Sequence, residues 1–390
     1  MAPVQDAAMP ILTMLTVVAT AHPQVPPAPP IPPVVSGSTR AIFEFMPGTA
    51  TCDGGTPAPV AVARPIPSAG VMTPGQAIAP YRFRFRIADD GRVLGVVPET
   101  RVGSGPYVPT PDLQPALAAS RFATGAPQAR CTIEYDVQAR PIADAPAELV
   151  RRYLTLPHDA AYFEGEMRKR AQDADGDCYD GRGLAPLLRA YPDLDAVPQA
   201  AGTLSMTVAG FDLDRNGKPV RVRTVQSDGN AALDAATRQA AAKSRFKTDR
   251  ARTGCVLPMM RRQRDPLEAP ESPSLDGFRT AGDGCPLEAA PWANLPRMTF
   301  PEPFRRRGIE GWAIMRYDVA PWGQVGNVSV IASEPAAAFG DQARQILSSA
   351  RRAPSTRGAS GCVERVRFKL PEGDEDMRTP PPPPPPPIID

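Results

Sequence analysis

Six cysteines are the residues of this chain whose type and spacing most readily do chemistry, either as disulfides or as metal ligands. Their separations repeat, with 79 residues within the first pair and 77 within each of the other two. A repeated separation favours one pairing among the many open to six half-cystines, because each pair then closes one copy of a recurring unit. The pattern predicts an oxidised, three-unit protein outside the cytosol. The predicted disulfides are Cys52–Cys131, Cys178–Cys255 and Cys285–Cys362.

The alternatives of a metal site and an active site find little support. The chain has no Cys-x-x-Cys and only two histidines, so a zinc site is disfavoured. Two acidic stretches, which start at Asp173 and Asp212, resemble the first half of an EF-hand calcium loop. The twelfth position, which binds calcium through a glutamate in that loop, is Leu184 in the first stretch and Arg223 in the second. Serine-hydrolase, zinc-protease and phosphate-binding motifs are absent from the sequence. We therefore predict no catalytic residue, no metal and no cofactor.

The segments between paired cysteines carry the same predicted elements. Alternating apolar residues flank a turn glycine in each copy and predict a β-hairpin, since glycine accepts the positive φ of such a turn. A helix follows at 231–244 and 336–350, and prolines shorten it to about 112–120 in the first copy. A last strand begins at the second cysteine. The sequence thus predicts an α+β fold of tandem small modules, each an antiparallel three-stranded sheet (hairpin–helix–strand) covered by helices. The turn glycines are Gly91, Gly217 and Gly323.

Three landmarks of the third copy carry a resemblance to a known family. They are Gly-x-x-Gly-Trp at 308–312, Ser-Glu-Pro at 333–335 and Val-Arg-Phe-Lys-Leu at 366–370. With them the third copy resembles the C-terminal domain of TonB-family proteins. The second copy is similar through residues 210–234, and the first only in its hairpin and last strand.

The resemblance implies a partner-binding strand. The last strand of the domain is the part that, by this resemblance, pairs with a short segment of an outer-membrane receptor. In this chain that strand starts at Cys362, and at the edge of a sheet it would accept a guest strand. Arg297 lies in a stretch, 295–301, that resembles the one at which such domains meet the receptor, and Trp322 at the hairpin tip is a further candidate contact. Alternatively, the basic residues only keep an edge strand soluble. The candidate contacts on one face of the strand are Val363, Arg365, Arg367 and Lys369.

The chain ends predict export and extended linkers. The apolar run 9–21 suits the core of a signal peptide and is shorter than the ~20 residues of a membrane span. Proline tracts follow it and end the chain, and they predict polyproline II segments. We expect a periplasmic protein, with an inner-membrane anchor as the alternative. The predicted division is a signal peptide at 1–21, a proline-rich linker at 22–40, modules at 41–140, 141–265 and 266–371, and a disordered tail at 372–390.

The charge pattern narrows the class of partner. A net charge of +2 gives no field that attracts nucleic acid. The arginine run 305–307 is expected to be solvent-exposed. The leading hypothesis is a TonB-family cell-envelope protein that binds extended peptide segments of an outer-membrane receptor or another envelope protein by strand addition, in or beside TonB-dependent transport. The alternative is a periplasmic scaffold protein without an energy-transducing role, and an enzyme is the least favoured reading.

Overall fold

The fold is known from a computed structural model, which describes residues 38–73, 75, 77–99, 108–123, 125–157, 164–172, 176–178, 184–261, 265–280, 283–285 and 291–370. The predicted signal peptide, nearly all of the proline-rich linker and the C-terminal tail lie outside these residues. Within them the fold is α+β, and the strands of every sheet run antiparallel. No helix of the described residues is long and apolar enough to cross a membrane.

The first sheet has five strands, in the order β3-β1-β7-β4-β5, where three were predicted. The reason is the length of β7, which has 14 residues. Its N-terminal half pairs with β4 and its C-terminal half with β1, so β7 is a central strand. The elements are β1 (Thr39–Pro47), β2 (Pro59–Ala61), β3 (Ser68–Met72), β4 (Tyr81–Ile87), β5 (Val93–Pro98), α1 (Leu113–Ala119), β6 (Arg121–Phe122) and β7 (Gln128–Pro141).

The second sheet has three strands, in the order β10-β9-β12, and helices cover both of its faces. Helix α4 packs on β9 and β10, while α2 packs on β9 and β12 as well as on β1. Arg152 of α2 forms a 2.6 Å ion pair with Asp228, the residue that follows β10 in the chain. The elements are a short 3₁₀ turn (Ile142–Asp144), α2 (Ala147–Thr155), α3 (Glu164–Arg170), β8 (Ala185–Leu188), β9 (Ser205–Leu213), β10 (Pro219–Ser227), α4 (Ala231–Lys243), β11 (Arg245–Lys247) and β12 (Arg252–Arg261).

The third sheet also has three strands, in the order β15-β14-β17, so β17 lies at an edge. Helix α6 packs on β14 and β15 through Phe339, Ala343 and Leu347, one apolar stripe at helical spacing. The elements are a second 3₁₀ turn (Leu275–Phe278), β13 (Trp292–Asn294), α5 (Glu302–Arg306), β14 (Gly311–Val319), β15 (Val325–Glu334), α6 (Ala337–Ser348), β16 (Arg351–Arg352) and β17 (Ala359–Phe368).

Disulfides tie each sheet to the segment that precedes its hairpin. The structure contains the three pairs that the spacing predicts, and no free cysteine is found among the described residues. The second cysteine of each pair stands opposite an aromatic residue of the first hairpin strand, in the same register each time. Closing loops of this length stabilises a fold by about 4.5 kcal/mol each in the chain-entropy account. The facing pairs are Phe85–Cys131, Phe211–Cys255 and Tyr317–Cys362.

The turn glycines fix how each hairpin meets the strand after the helix. Their φ angles are +79°, +74° and +85° at Gly91, Gly217 and Gly323. A Cβ at these three positions would lie 2.1, 1.8 and 2.0 Å from the carbonyl oxygens of Phe122, Phe246 and Arg352. Only glycine satisfies both the dihedral angle and the close approach. The hairpin turns are therefore docked on β6, β11 and β16 in the same way.

The first and third sheets share one hydrophobic core, although the second sheet separates them along the chain. Arg307, expected to be exposed, is instead 1% exposed. Its Nε donates to Asp112 Oδ1 at 2.6 Å and its Nη2 donates to the Arg64 carbonyl at 3.0 Å. A guanidinium is buried only where such partners compensate its lost hydration. The expectation is wrong for Arg307, because its burial depends on Asp112, almost two hundred positions away, whereas Arg305 and Arg306 stay partly exposed.

A departure in the first unit adds to this contact. Asp212 and Asp318, at equivalent positions, each accept the N–H of the glycine before the second cysteine, at 2.8 Å. The first unit has Arg86 at that position. Arg86 turns to Glu334 of the third unit and pairs with it at 2.7 Å, beside a 2.9 Å bond from Val96 N to the Pro335 carbonyl. The first unit therefore lacks the hydrogen bond from this position to the residue before its second cysteine, and it has an ion pair with the third unit instead.

Candidate functional site

The free edge of β17 is the feature that could receive a partner. One side of the strand pairs with β14, from Cys362 opposite Tyr317 to Phe368 opposite Gly311. On the other side, within the part of the chain that the structure describes, the backbone contact is that of Ser360, whose carbonyl accepts from Gly284 N at 3.0 Å. Residues 363–368 therefore present unpaired main-chain groups over about 20 Å.

The equivalent strands of the other two units do not offer such an edge. Strand β7 is covered on its second side by β1. Strand β12 lies at an edge but carries Pro258 opposite Val208. A proline in a sheet lies with its nitrogen away from the paired strand, so it removes a donor from the open side. Among the three last strands, as far as the structure describes them, β17 alone combines an open edge with a full set of N–H donors.

A strap, residues 267–280, covers the face of the third sheet opposite α6. The Trp312 indole donates to the Pro270 carbonyl at 2.8 Å, and Arg316 donates to the Phe278 carbonyl at 2.6 Å. Val363 is 2% exposed beneath it, so only its main chain, and not its side chain, is accessible to a partner at the edge. The cause is a proline-rich loop without periodic apolar pattern, which covers Val363 together with Trp312 and Ile314.

The basic residues of β17 differ in accessibility. Arg365 is half-buried and donates to the strap at the Pro273 carbonyl, at 2.5 Å. Arg367 and Lys369 are exposed. The two exposed cations stand next to the free edge, where they favour an acidic guest and disfavour pairing of β17 with a second copy of itself.

The segments that carry Arg297 and Trp322 reach opposite ends of the third sheet. Arg297 is exposed, and three residues later the Phe300 ring packs 5.8 Å from the Phe368 ring, at the C-terminal end of β17. Trp322 is 66% exposed in the β14–β15 turn, at the other end of the sheet, about 25 Å along the strands. The structure therefore packs Phe300, three residues after Arg297, on the C-terminal end of β17, and it places Trp322 at the other end of the sheet.

A buried polar cluster, which sequence reasoning missed, holds β17 from the helix side. The Tyr317 hydroxyl donates to Glu364 Oε2 at 2.6 Å, and Arg352 donates to both at 2.7 and 2.9 Å. Burial and the hydrogen bond to Glu364 raise the pKa of Tyr317 well above its usual value. The guanidinium also lies 3.8 Å from the Trp292 ring centre. One sequence feature could have indicated this cluster. The tripeptide Ser-Arg-Phe occurs at 120–122 and 244–246, and the third copy has Arg352 in place of its phenylalanine.

The other two units hold apolar side chains at these positions. Phe85 stacks on Phe122 with ring centres 6.0 Å apart, and Phe211 stacks on Phe246 at 5.5 Å. The third unit replaces the second phenylalanine by Arg352. The consequence is that Glu364 of the edge strand is fixed by charge and hydrogen bonds, where the other units rely on packing.

An open, basic edge strand in a helix-backed antiparallel sheet defines a module of the kind that can bind extended peptides by strand addition. Residues 296–370 match a known family, described as the C-terminal domain of the Gram-negative bacterial TonB protein. The match includes Arg297, α5, α6, the hairpin β14–β15 and the whole of β17. This part of the chain therefore has the features of a Gram-negative cell-envelope domain linked to TonB-dependent transport. No curated protein matches the chain.

Proposed function

We propose that this chain is a TonB-family cell-envelope protein that binds an extended peptide by strand addition at β17. The partner is a segment of an outer-membrane receptor or of another envelope protein, and the protein acts in the periplasm, in or beside TonB-dependent transport, without enzymatic activity. The observation that carries the proposal is the free edge of residues 363–368 within a segment that matches the TonB C-terminal family.

We further propose that all three sheet units are copies of one TonB-C-like module, the first of them degenerate. Three recurring details support this. The facing aromatic–cysteine pairs share one register, the turn glycines make the same close approach, and the residue before each second cysteine has a positive φ. The residues with this positive φ are Arg130, Gly254 and Gly361.

The edge strand predicts the chemistry of the guest. The unpaired N–H and C=O groups bind any extended main chain, so the side chains must supply the selectivity. Arg367 and Lys369 are exposed beside the edge, and the segment that carries Arg297 reaches the C-terminal end of β17 through Phe300. We expect a guest of about six residues with acidic side chains at the end that meets Arg367 and Lys369.

The sharpest test copies Pro258 of the second unit into the third. Arg365 stands opposite Ile314 as Pro258 stands opposite Val208, in the same register relative to the cysteine. Arg365→Pro removes the outward N–H at the centre of the edge, in a strand geometry that β12 already tolerates. Arg365→Ala is the matched control, because it removes the same side chain and keeps the N–H.

Fluorescence anisotropy of a labelled acidic peptide from an outer-membrane receptor measures the outcome. We expect Arg365→Pro to weaken binding about tenfold or more, as for the loss of a main-chain hydrogen bond in a docked strand, and Arg365→Ala to stay within about threefold of the wild type. Charge reversal at Arg367 and Lys369 should weaken binding in proportion to the acidity of the peptide. Equal affinities of the proline and alanine variants would rule out strand addition.

A second candidate function, that of an envelope scaffold without energy transduction, is supported by the core that the first and third sheets share. Two sheets joined by a shared core and a buried ion pair form one packed body, unlike a series of independent binding modules. This function predicts that receptor peptides do not bind the wild-type chain at all, in the same anisotropy assay.

A further inference from the structure

A cavity of about 380 Å³ lies in the second unit, on the outside of β12 and away from β17. This volume falls within the range of small-molecule sites, about 300–1,000 Å³. Its walls come from α2, α3, the segment around β8, and strands β11 and β12. It therefore forms between the helical pair and the edge of the second sheet.

The edge of β12 gives this cavity an apolar wall. Val256, Leu257 and Pro258 are consecutive residues, and all three line it together with Phe246 of β11. Successive residues of a strand point to opposite faces, so a space that touches three in a row lies along the rim of the strand. Pro258 supplies no N–H to that rim, which disfavours the main chain of a guest strand. The occupant that fits here is an apolar body.

The same cavity carries positive charge. Arg168 and Arg189 both line it. Arg189 is exposed and held in place by Tyr191, with its Cζ 5.2 Å from the ring centre. Guanidinium groups bind carboxylates and phosphates through paired N–H donors. Charge complementarity therefore selects an anionic head.

An exposed apolar strand continues the site outward. Leu187 and Leu188 of β8 are 69% and 57% exposed, next to Pro186 and Arg189 in the cavity wall. Large apolar side chains grouped on a surface mark interaction sites more often than single ones do. Their place beside the cavity extends its apolar surface beyond the arginines.

We propose that this cavity binds a single-chain anionic amphiphile, with its carboxylate or phosphate on Arg189 and its hydrocarbon chain along Val256, Leu257 and Phe246. The ligand class is that of fatty acids and single-chain lipid phosphates. The site is independent of strand addition at β17, and the two are separable by experiment.

Isothermal titration of the full chain with decanoate tests the proposal. Arg189→Glu should weaken binding about tenfold or more, since it replaces a charged hydrogen-bond donor by a like charge. Arg215→Glu is the matched control, because Arg215 is exposed in the β9–β10 turn and outside the cavity. The uncharged analogue 1-decanol should bind more weakly than decanoate to the wild type.

The results that would overturn the proposal are equally direct. They are an absence of decanoate binding to the wild type, equal affinities of Arg189→Glu and Arg215→Glu, or displacement of decanoate by an acidic peptide that binds the same cavity. Decanoate binding that persists in Arg365→Pro would support the site even if strand addition at β17 fails.

Discussion

The buried contact between Arg307 and Asp112 gives a prediction that tests the joined first and third sheets. The Arg307 and Asp112 side chains are 2% and 5% exposed, and the carboxylate also accepts from Ile66 N at 2.7 Å. Arg307→Met leaves that carboxylate buried without its counter-charge. Breaking a buried pair from one side costs about 3–5 kcal/mol in free energy of unfolding. Arg305→Met, which breaks a solvent-exposed pair with Glu302, should cost about 0–1 kcal/mol.

A second substitution separates charge from packing. Adding Asp112→Asn to Arg307→Met removes the stranded charge while the amide oxygen still accepts from Ile66 N. We therefore expect the double variant to be more stable than Arg307→Met alone. The non-additivity of the two substitutions measures their coupling.

The assay uses the position of the fluorophores. All three tryptophans of the chain, Trp292, Trp312 and Trp322, belong to the third unit. Guanidinium unfolding followed by tryptophan fluorescence therefore reports the third unit, whereas Asp112 lies in the first. Asp112→Asn should shift this transition to lower denaturant. If the fluorescence midpoint stayed unchanged while circular dichroism showed a separate, destabilised transition, the shared core would not couple the two units.

Two further predictions concern the third unit. Gly323→Ala should lower its unfolding midpoint strongly, because the new Cβ would lie 2.0 Å from the Arg352 carbonyl oxygen, whereas Gly326→Ala, with open space at its Cβ, should change it little. Acidification should weaken the strap, because the Thr280 backbone N–H lowers the pKa of Asp283 below its unfolded value. That stabilisation is present above about pH 4 and is lost as pH falls through the lower folded pKa. Asp283→Asn should flatten this acid decline of the fluorescence midpoint, and an unchanged pH profile would contradict the assignment.

The hairpins, the helices after them and the disulfides were predictable because their signals are local or regularly spaced. Period-two apolar patterns and a turn glycine specify a hairpin within about 15 residues of chain. The helix expected at 231–244 spans Ala231–Lys243. Strands β1 and β3 were not predicted, because they precede or interrupt the cysteine-spaced pattern and gain their place only by pairing with each other and with the far half of β7.

The candidate site was predictable only in part, for the same physical reason. The sequence indicates which strand ends the module and that its residues alternate, and these features predicted an edge with basic side chains. Accessibility depends on contacts from elsewhere in the chain. The strap buries Val363, and Asp112 receives Arg307, through tertiary contacts that no local pattern encodes. The replacement of a phenylalanine by Arg352 was visible in sequence, yet its hydrogen bond to Tyr317 was not.

The order of the sheets along the chain has a mechanical consequence. Strand β1 begins at Thr39 and β17 ends at Phe368, so both ends of the described chain leave from the two sheets that share a core. Tension between those ends would load the contacts that join the two sheets, namely their shared core and the ion pairs Asp112–Arg307 and Arg86–Glu334. The chain enters the second sheet from the first and leaves it to the third. The second sheet would therefore carry no tension until the contacts between the first and third sheets break. A pull at the C-terminal end would thus reach the cavity beside β12 only after the outer two sheets had come apart.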